Sequence, residues 1–309
     1  MTSVPPLDEL VNAFEFESAA GRKLDPATFS EISGSEREAF ERITFRPRMM
    51  VNTTRLDLSL ELFGAHLFAP IVVGPVADQK RFFAEGELAT VRGASAANTA
   101  VVISSRASYG AAEIATQSKT TLWYQVYPEP DPVPQARHAA DAGFKAIFLT
   151  LGASKEQSAD WKMIDRLRSA TGVPVILKGV MSAEEAKMAA RNGIEGIVVS
   201  NYSAHQAASM AAPLEVLPEI AGAAGGRVSI LLDGSVRRGS DVLKALALGA
   251  RAVLLGRPPM WALSAYGAEG VERILEMLQT ELARDMAMCG KPNLESIDGT
   301  LLKIHRRTA

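Results

Sequence analysis

VSILLDGSVRRGSDVLKALALGARAVLLGRP, residues 228–258, holds two short apolar runs, each closing on polar or glycine residues, with a helix-like stretch between them. Runs this short, rich in Val, Ile and Leu and without polar alternation, read as parallel strands buried on both faces. The pattern recurs upstream in PIVVGP from Pro70, AVVISS from Ala100, LWYQVYP from Leu122, AIFLTLG from Ala146, PVILKGV from Pro174 and GIVVSN from Gly196. Eight runs in all, their starts 22 to 32 residues apart, predict an α/β fold closed as a (β/α)8 TIM barrel. In that architecture the site lies at the carboxyl ends of the strands, so the residues closing each run are the first candidates. They are Ser104, Ser105, Gln125, Tyr127, Thr150, Lys178, Ser200, Asn201, Asp233 and Arg257.

The chain has 309 residues, of which 47% are apolar, enough for a full core. A barrel takes about 250 residues, which leaves an N-terminal extension. Residues 1–65, interrupted by Pro5, Pro6, Pro26 and Pro47 and helix-like only over 36–43, read as a cap on a barrel spanning 66–309, one domain overall. SAEEAKMAARNG from Ser182 carries a capping box (Ser182, Glu185) and a closing glycine, Gly193. A long amphipathic helix is expected over 267–288. The net charge of -2, with no basic stripe, argues against nucleic acid and anionic membrane and leaves small molecules as partners. No apolar run approaches the ~20 residues of a bilayer span. One cysteine, Cys289, and a start, MTSVPPLDEL, without signal-peptide character predict a cytoplasmic protein.

The strongest chemistry lies in the opening segment itself. Asp233 and Gly234 end the seventh run, Arg237 and Arg238 follow in the next loop, and Gly256 and Arg257 end the eighth. Barrels bind phosphate between these two loops, where glycines let backbone N–H groups approach and arginine adds charge. Lys178 ends an otherwise apolar strand and must find an anion: a ligand's negative ring edge, or a carboxylate such as Asp233. Gln125, Ser105 and Thr150 offer an amide and hydroxyls to the same ring.

FRPRMM (45–50), APIVVGP (69–75), QK (79–80), EGELATVRGASAANT (85–99), YQVY (124–127), VPVILKGV (173–180), IVVSN (197–201), the 231–258 segment and ELARDMAMCG (281–290) together resemble the FMN-dependent α-hydroxy-acid oxidases and dehydrogenases, the glycolate and lactate oxidase group. The resemblance implies FMN as cofactor and a homo-oligomer. It implies that Pro75, Val76, Ala77, Ser105, Gln125, Thr150, Lys178 and Ser200 surround the flavin, with Lys178 at the N1 and C2-carbonyl edge. It further implies that Asp233, Gly234, Ser235, Arg237, Gly256 and Arg257 hold the ribityl phosphate.

The catalytic half departs from that pattern. Where the family has SNHGGRQ, this chain reads SNYSAHQ, with Tyr202 at the position of the histidine base and His205 at the position of the carboxylate-binding arginine. LTLGASKEQSADWK (149–162) runs directly into a helix without the family's lid and its second arginine, and TFSEISG (28–34) replaces the N-terminal tyrosine motif with Glu31 or Phe29 nearby. Of the substrate-contacting set only Tyr127 remains. A phenol of ordinary pKa near 10 is a poor base at pH 7, and no single group replaces a bidentate arginine. Tyr127, Tyr202, His205 and Lys178 are therefore the catalytic candidates of an FMN-dependent oxidoreductase acting on an atypical substrate. A catalytically decayed FMN-binding protein and a non-redox barrel enzyme using a phosphorylated substrate are the alternatives.

Overall fold

The structure, a computed structural model, describes residues 3–34, 37–128, 131–152, 159–202 and 211–305. All eight expected strands form, and they close into one barrel: β1 (Ile71–Val73), β2 (Ala100–Ser104), β3 (Leu122–Val126), β4 (Ile147–Thr150), β5 (Val175–Val180), β6 (Gly196–Val199), β7 (Ser229–Asp233) and β8 (Ala252–Leu255). Each strand pairs in parallel with its neighbour in sequence, and Leu254 returning beside Val72 seals the ring. A closed ring leaves no unpaired edge, so every strand is buried on both faces.

Inside the barrel, Val72, Val102, Trp123, Phe148, Ile176, Val198, Leu231 and Leu254 make one apolar layer. Trp123 stacks on Phe148 with centroids 5.5 Å apart, and Phe63, from a hairpin beneath the barrel, meets both edge-on. The intervening strand residues, among them Val101, Tyr124, Leu149, Leu177 and Leu232, face the helices and join the larger outer core. Side chains alternate along a strand, so two residues beyond each interior position the chain faces inward again. Those positions are Gly74, Ser104, Gln125, Thr150, Lys178, Ser200, Asp233 and Gly256. The apolar core thus hands over to a polar layer at one level of the barrel. At Lys178 the register of β5 on β6 slips by a bulge, made possible by Gly179 at φ +114°, where a Cβ would lie 3.1 Å from the Leu151 carbonyl oxygen.

One expectation about the elements needs correction. Residues 1–65 are far more helical than their prolines suggest, forming α1 (Ala13–Lys23), α2 (Pro26–Ile32) and α3 (Glu38–Glu41). Pro26 starts α2 instead of breaking it, because it occupies the first turn behind Asp25, whose carboxylate accepts from the amides of Ala27 and Thr28. These helices lie against the barrel's last helix: Phe16 is fully buried edge-on to Tyr266, and Trp261 Nε1 donates to the Ile32 carbonyl at 2.7 Å. The last helical run, Arg257–Met288, is two helices joined at a kink at Gly267, so the expected helix over 267–288 forms and a shorter one precedes it. Pro258 and Pro259 sit in its first turn, where no amide is owed, and Gly267 at φ +64° kinks it against the ring of Phe83. The capping box of Ser182 and Glu185 forms as expected.

Candidate active site

A cavity of about 510 Å³ opens above the polar layer, at the carboxyl ends of the strands. Its wall brings together Pro75, Val76, Ala77, Gln125, Tyr127, Lys178, Ser200, Tyr202, Asp233, Gly234, Ser235, Arg237, Gly256 and Arg257, all expected from the sequence. Thr150 is buried one step behind, where its hydroxyl accepts from Gln125 Nε2 at 2.6 Å. Ser105 falls out of step with the inward side chains and is not on the wall; its backbone amide donates to the Gln125 carbonyl at 2.7 Å. His205 lies outside the described residues. A hollow of about 660 Å³ lies at the other end of the barrel around Thr121, Leu122 and Lys145, the face where such folds keep stability and not chemistry.

Lys178 meets one of the two anions that the sequence offered it. Its side chain is buried, donating from Nζ to Asp233 Oδ2 at 2.5 Å and to Ser200 Oγ at 2.9 Å, while it still forms part of the wall. The Ser200 hydroxyl donates to the same Asp233 oxygen at 2.9 Å. The Asp233 carboxylate is thus turned to the lysine while the residue stays on the cavity wall.

The other end of the cavity is cationic. Arg237 is buried, with its guanidinium 4.7 Å above the Trp261 ring and donating to the carbonyls of Val236 and Gly34. Burial, and then the neighbouring charge of Arg257, push this guanidinium down to about 9, so the pocket disfavours its own cation until an anion arrives. Arg257 donates to the Gly34 and Ser33 carbonyls, which ties the start of the last helix to the segment after α2. Arg238, by contrast, leaves the cavity to pair with Glu281, and Arg37 closes bidentately on buried Asp241.

At the mouth stand two phenols. Tyr127 is buried, whereas Tyr202 is 55% exposed, and both line the cavity. Partial loss of solvent at Tyr202, then the adjoining Tyr127 phenol, push its pKa above the ordinary 10, and Arg106 pulls the other way. The sequence pattern missed part of the wall: Ser30, Ile32 and Ser33 arrive from α2 and its exit, Arg81 and Phe82 from the loop after β1, and Met260 from the last helix. Arg81 pairs with Glu31 across the mouth. No strand-end pattern marks these residues, because the first three belong to another part of the chain. Among the described residues no cluster of metal-ligating side chains occurs.

The sequence matches the family model of the FMN-dependent dehydrogenases over residues 16–155 and 150–304. The chain belongs to that family. Glycolate oxidase 3 of Arabidopsis thaliana is 34% identical, with 96% of each chain covered, and glycolate oxidase of Spinacia oleracea is 34% identical, with 94% of each covered. Among solved structures, mandelate oxidase with (S)-2-phenylpropionate superposes with a TM-score of 0.89 at 33% identity, covering 96% of this chain and 100% of that one. FMN is the cofactor of the family, and the residues present fit it. Gln125 Oε1 and Arg237 Nε are buried without a partner among the described residues, one beside the lysine end and one at the arginine end. A side chain at Gly256 would meet open space, so its backbone is bare toward a ligand. An amide acceptor beside a lysine at one end and paired arginines with bare glycine backbone at the other match a polar ring edge and a phosphate.

Proposed function

We propose that this member of the family is an FMN-dependent oxidoreductase of the α-hydroxy-acid oxidase and dehydrogenase type, with a remodelled substrate face and an atypical substrate. Lys178 and Gln125 would hold the ring edge, and Arg237, Arg257 and the backbone at Gly234 and Gly256 the phosphate. When bound, FMN supplies the acceptor for the two electrons removed from the substrate. The observation that carries the reading is Tyr202 just after β6, on the cavity wall with Tyr127 and with its pKa held above 10. A group that stays a neutral phenol at pH 7 donates a hydrogen bond; it does not take the proton of a hydroxy acid. Tyr127 and Tyr202 therefore orient a substrate oxygen, and proton removal falls to another group.

The family match supports a second part of the remodelling. It comes as two segments that meet at 150–155, directly after β4, where the sequence runs on without the lid. Simple 2-hydroxy acids are thus poor substrates: a missing general base costs about 10²-fold to 10⁴-fold. Anaerobic stopped-flow mixing with glycolate, lactate and mandelate tests this, and rapid bleaching of the flavin by any of them would refute it. We also propose a homo-oligomer in the cytoplasm; the one cysteine, Cys289, is buried and unpaired, as suits a reducing compartment. Light scattering and cell fractionation test these two points. Among the described residues no helix is long and apolar enough to cross a membrane.

A further inference from the structure

The loop that carries Gly234, Ser235 and Arg237 to the cavity wall is not held by the barrel alone. Ser235 sits at φ +55°, a left-handed conformation that a residue with a side chain keeps only where its neighbours fix it. The group that fixes it comes from the N-terminal cap. Arg37, the N-cap of α3, donates from Nη1 to the Ser235 carbonyl at 3.1 Å. The same guanidinium closes on Asp241, Nη1 on Oδ2 at 2.7 Å and Nη2 on Oδ1 at 3.0 Å.

Asp241 lies in the first turn of the helix after β7, Gly239–Ala247, and is fully buried. Its Oδ2 also accepts from the amides of Arg237 and Arg238, at 2.9 and 3.0 Å. Donors of the cap and donors of the loop thus meet on one carboxylate. The cap in turn holds the arginine: its guanidinium carbon lies 5.4 Å from the ring centroid of Phe14, on α1, and 5.7 Å from that of Phe40, on α3. Arg37 stands behind the cavity wall, not on it. It grips the loop directly at Ser235 and, through Asp241, at Arg237.

We propose that Arg37 is the positioning residue of the cofactor's phosphate site, setting from behind the loop whose backbone and guanidinium meet the phosphate. A planar fork matches both oxygens of Asp241 while its shared Nη1 reaches the Ser235 carbonyl; a lysine ammonium is a point charge and does not reproduce that fork. Binding groups must be held to within about 0.5 Å, so a loosened loop loses affinity for the phosphate and not for the ring. Phosphate recognition therefore depends on the N-terminal cap as well as on the barrel. The assignment rests on the phosphate reading above.

The test compares FMN with riboflavin, which lacks the phosphate. The full chain, stripped of flavin, is titrated with each and followed by quenching of flavin fluorescence. Arg37→Gln should weaken FMN binding at least about tenfold, the scale of one lost charge-assisted hydrogen bond, and riboflavin binding less than about threefold. Arg37→Lys keeps the charge and loses the fork, and its FMN affinity should fall within about threefold of that of Arg37→Gln. Arg37→Gln leaves the buried Asp241 carboxylate without its cation, so Tm is followed in parallel. Adding Asp241→Asn removes that orphaned charge and should regain most of the lost Tm while FMN binding stays weak. An FMN to riboflavin affinity ratio equal to the parent's in Arg37→Gln, or in the double variant, overturns the proposal. So does a parental ratio in Arg37→Lys, which would assign the effect to charge alone. A parent that binds FMN and riboflavin equally well defeats the phosphate reading and the proposal together.

Discussion

Replacing Arg237 with methionine separates what this residue does for the fold from what it does for the cofactor. In the structure its guanidinium is buried on Trp261 near Arg257, and its pKa falls from 12.5 to about 9. At ~1.4 kcal/mol for each tenfold, that displacement represents a cost of about 5 kcal/mol for keeping the cation there. Two carbonyl hydrogen bonds, to Val236 and Gly34, are lost with it, worth about 2 to 3 kcal/mol together. The flavin-free variant should therefore be about 2 to 3 kcal/mol more stable than the parent. FMN should stabilise the variant less than it stabilises the parent, because a charge-assisted contact to phosphate is worth about 1.5 to 3 kcal/mol, or about tenfold to a hundredfold in Kd. The assay is quenching of flavin fluorescence on titration with FMN and, in parallel, with riboflavin, which lacks the phosphate, plus the Tm of both forms. Weaker FMN binding with riboflavin changed less than about threefold is expected. An FMN to riboflavin affinity ratio equal to the parent's would refute the phosphate assignment of Arg237.

Lys178→Met leaves the Asp233 carboxylate with only the Ser200 hydroxyl and should destabilise the protein by about 3 kcal/mol; Lys178→Met with Asp233→Asn should regain most of that, both read by urea unfolding. The Tyr202 phenol titrates above its unfolded value of 10, so the stability it contributes is present below pH 10 and is lost as pH rises through the folded pKa. Subtracting the alkaline ultraviolet titration of Tyr202→Phe from that of the parent should give a single phenol with a midpoint above 10, and a midpoint at or below 10 contradicts the account. Gly267→Ala forces a side chain into φ +64° with its Cβ 2.8 Å from the Phe83 ring and should cost about 1 to 3 kcal/mol in thermal unfolding. Tyr202→His with His205→Arg should restore only a small part of 2-hydroxy-acid oxidation, since no lid accompanies them, and full recovery in anaerobic flavin reduction would show that the lid is dispensable.

The sequence alone determined the barrel, because burial on both faces leaves an unbroken Val, Ile and Leu run whose period and count survive without any tertiary knowledge. It marked Lys178, Gln125, Gly256 and Arg257 for the same reason: a polar or glycine residue at the end of such a run faces the one place a closed barrel leaves open. The helices of residues 13–32 were not legible, since Asp25 and Pro26 read as an interruption until the cap hydrogen bonds are seen. Tertiary structure alone decided which strand-end side chains face inward, setting Gln125 on the cavity wall and Ser105 off it, because alternation has two phases and only closure of the barrel chooses between them. It likewise decided that Asp233 pairs with Lys178, that Arg81 meets Glu31 and that Arg106 lies over Tyr127. Each of those pairs joins residues from different segments of the chain, and a local pattern carries no information about a contact that exists only once the ring has closed.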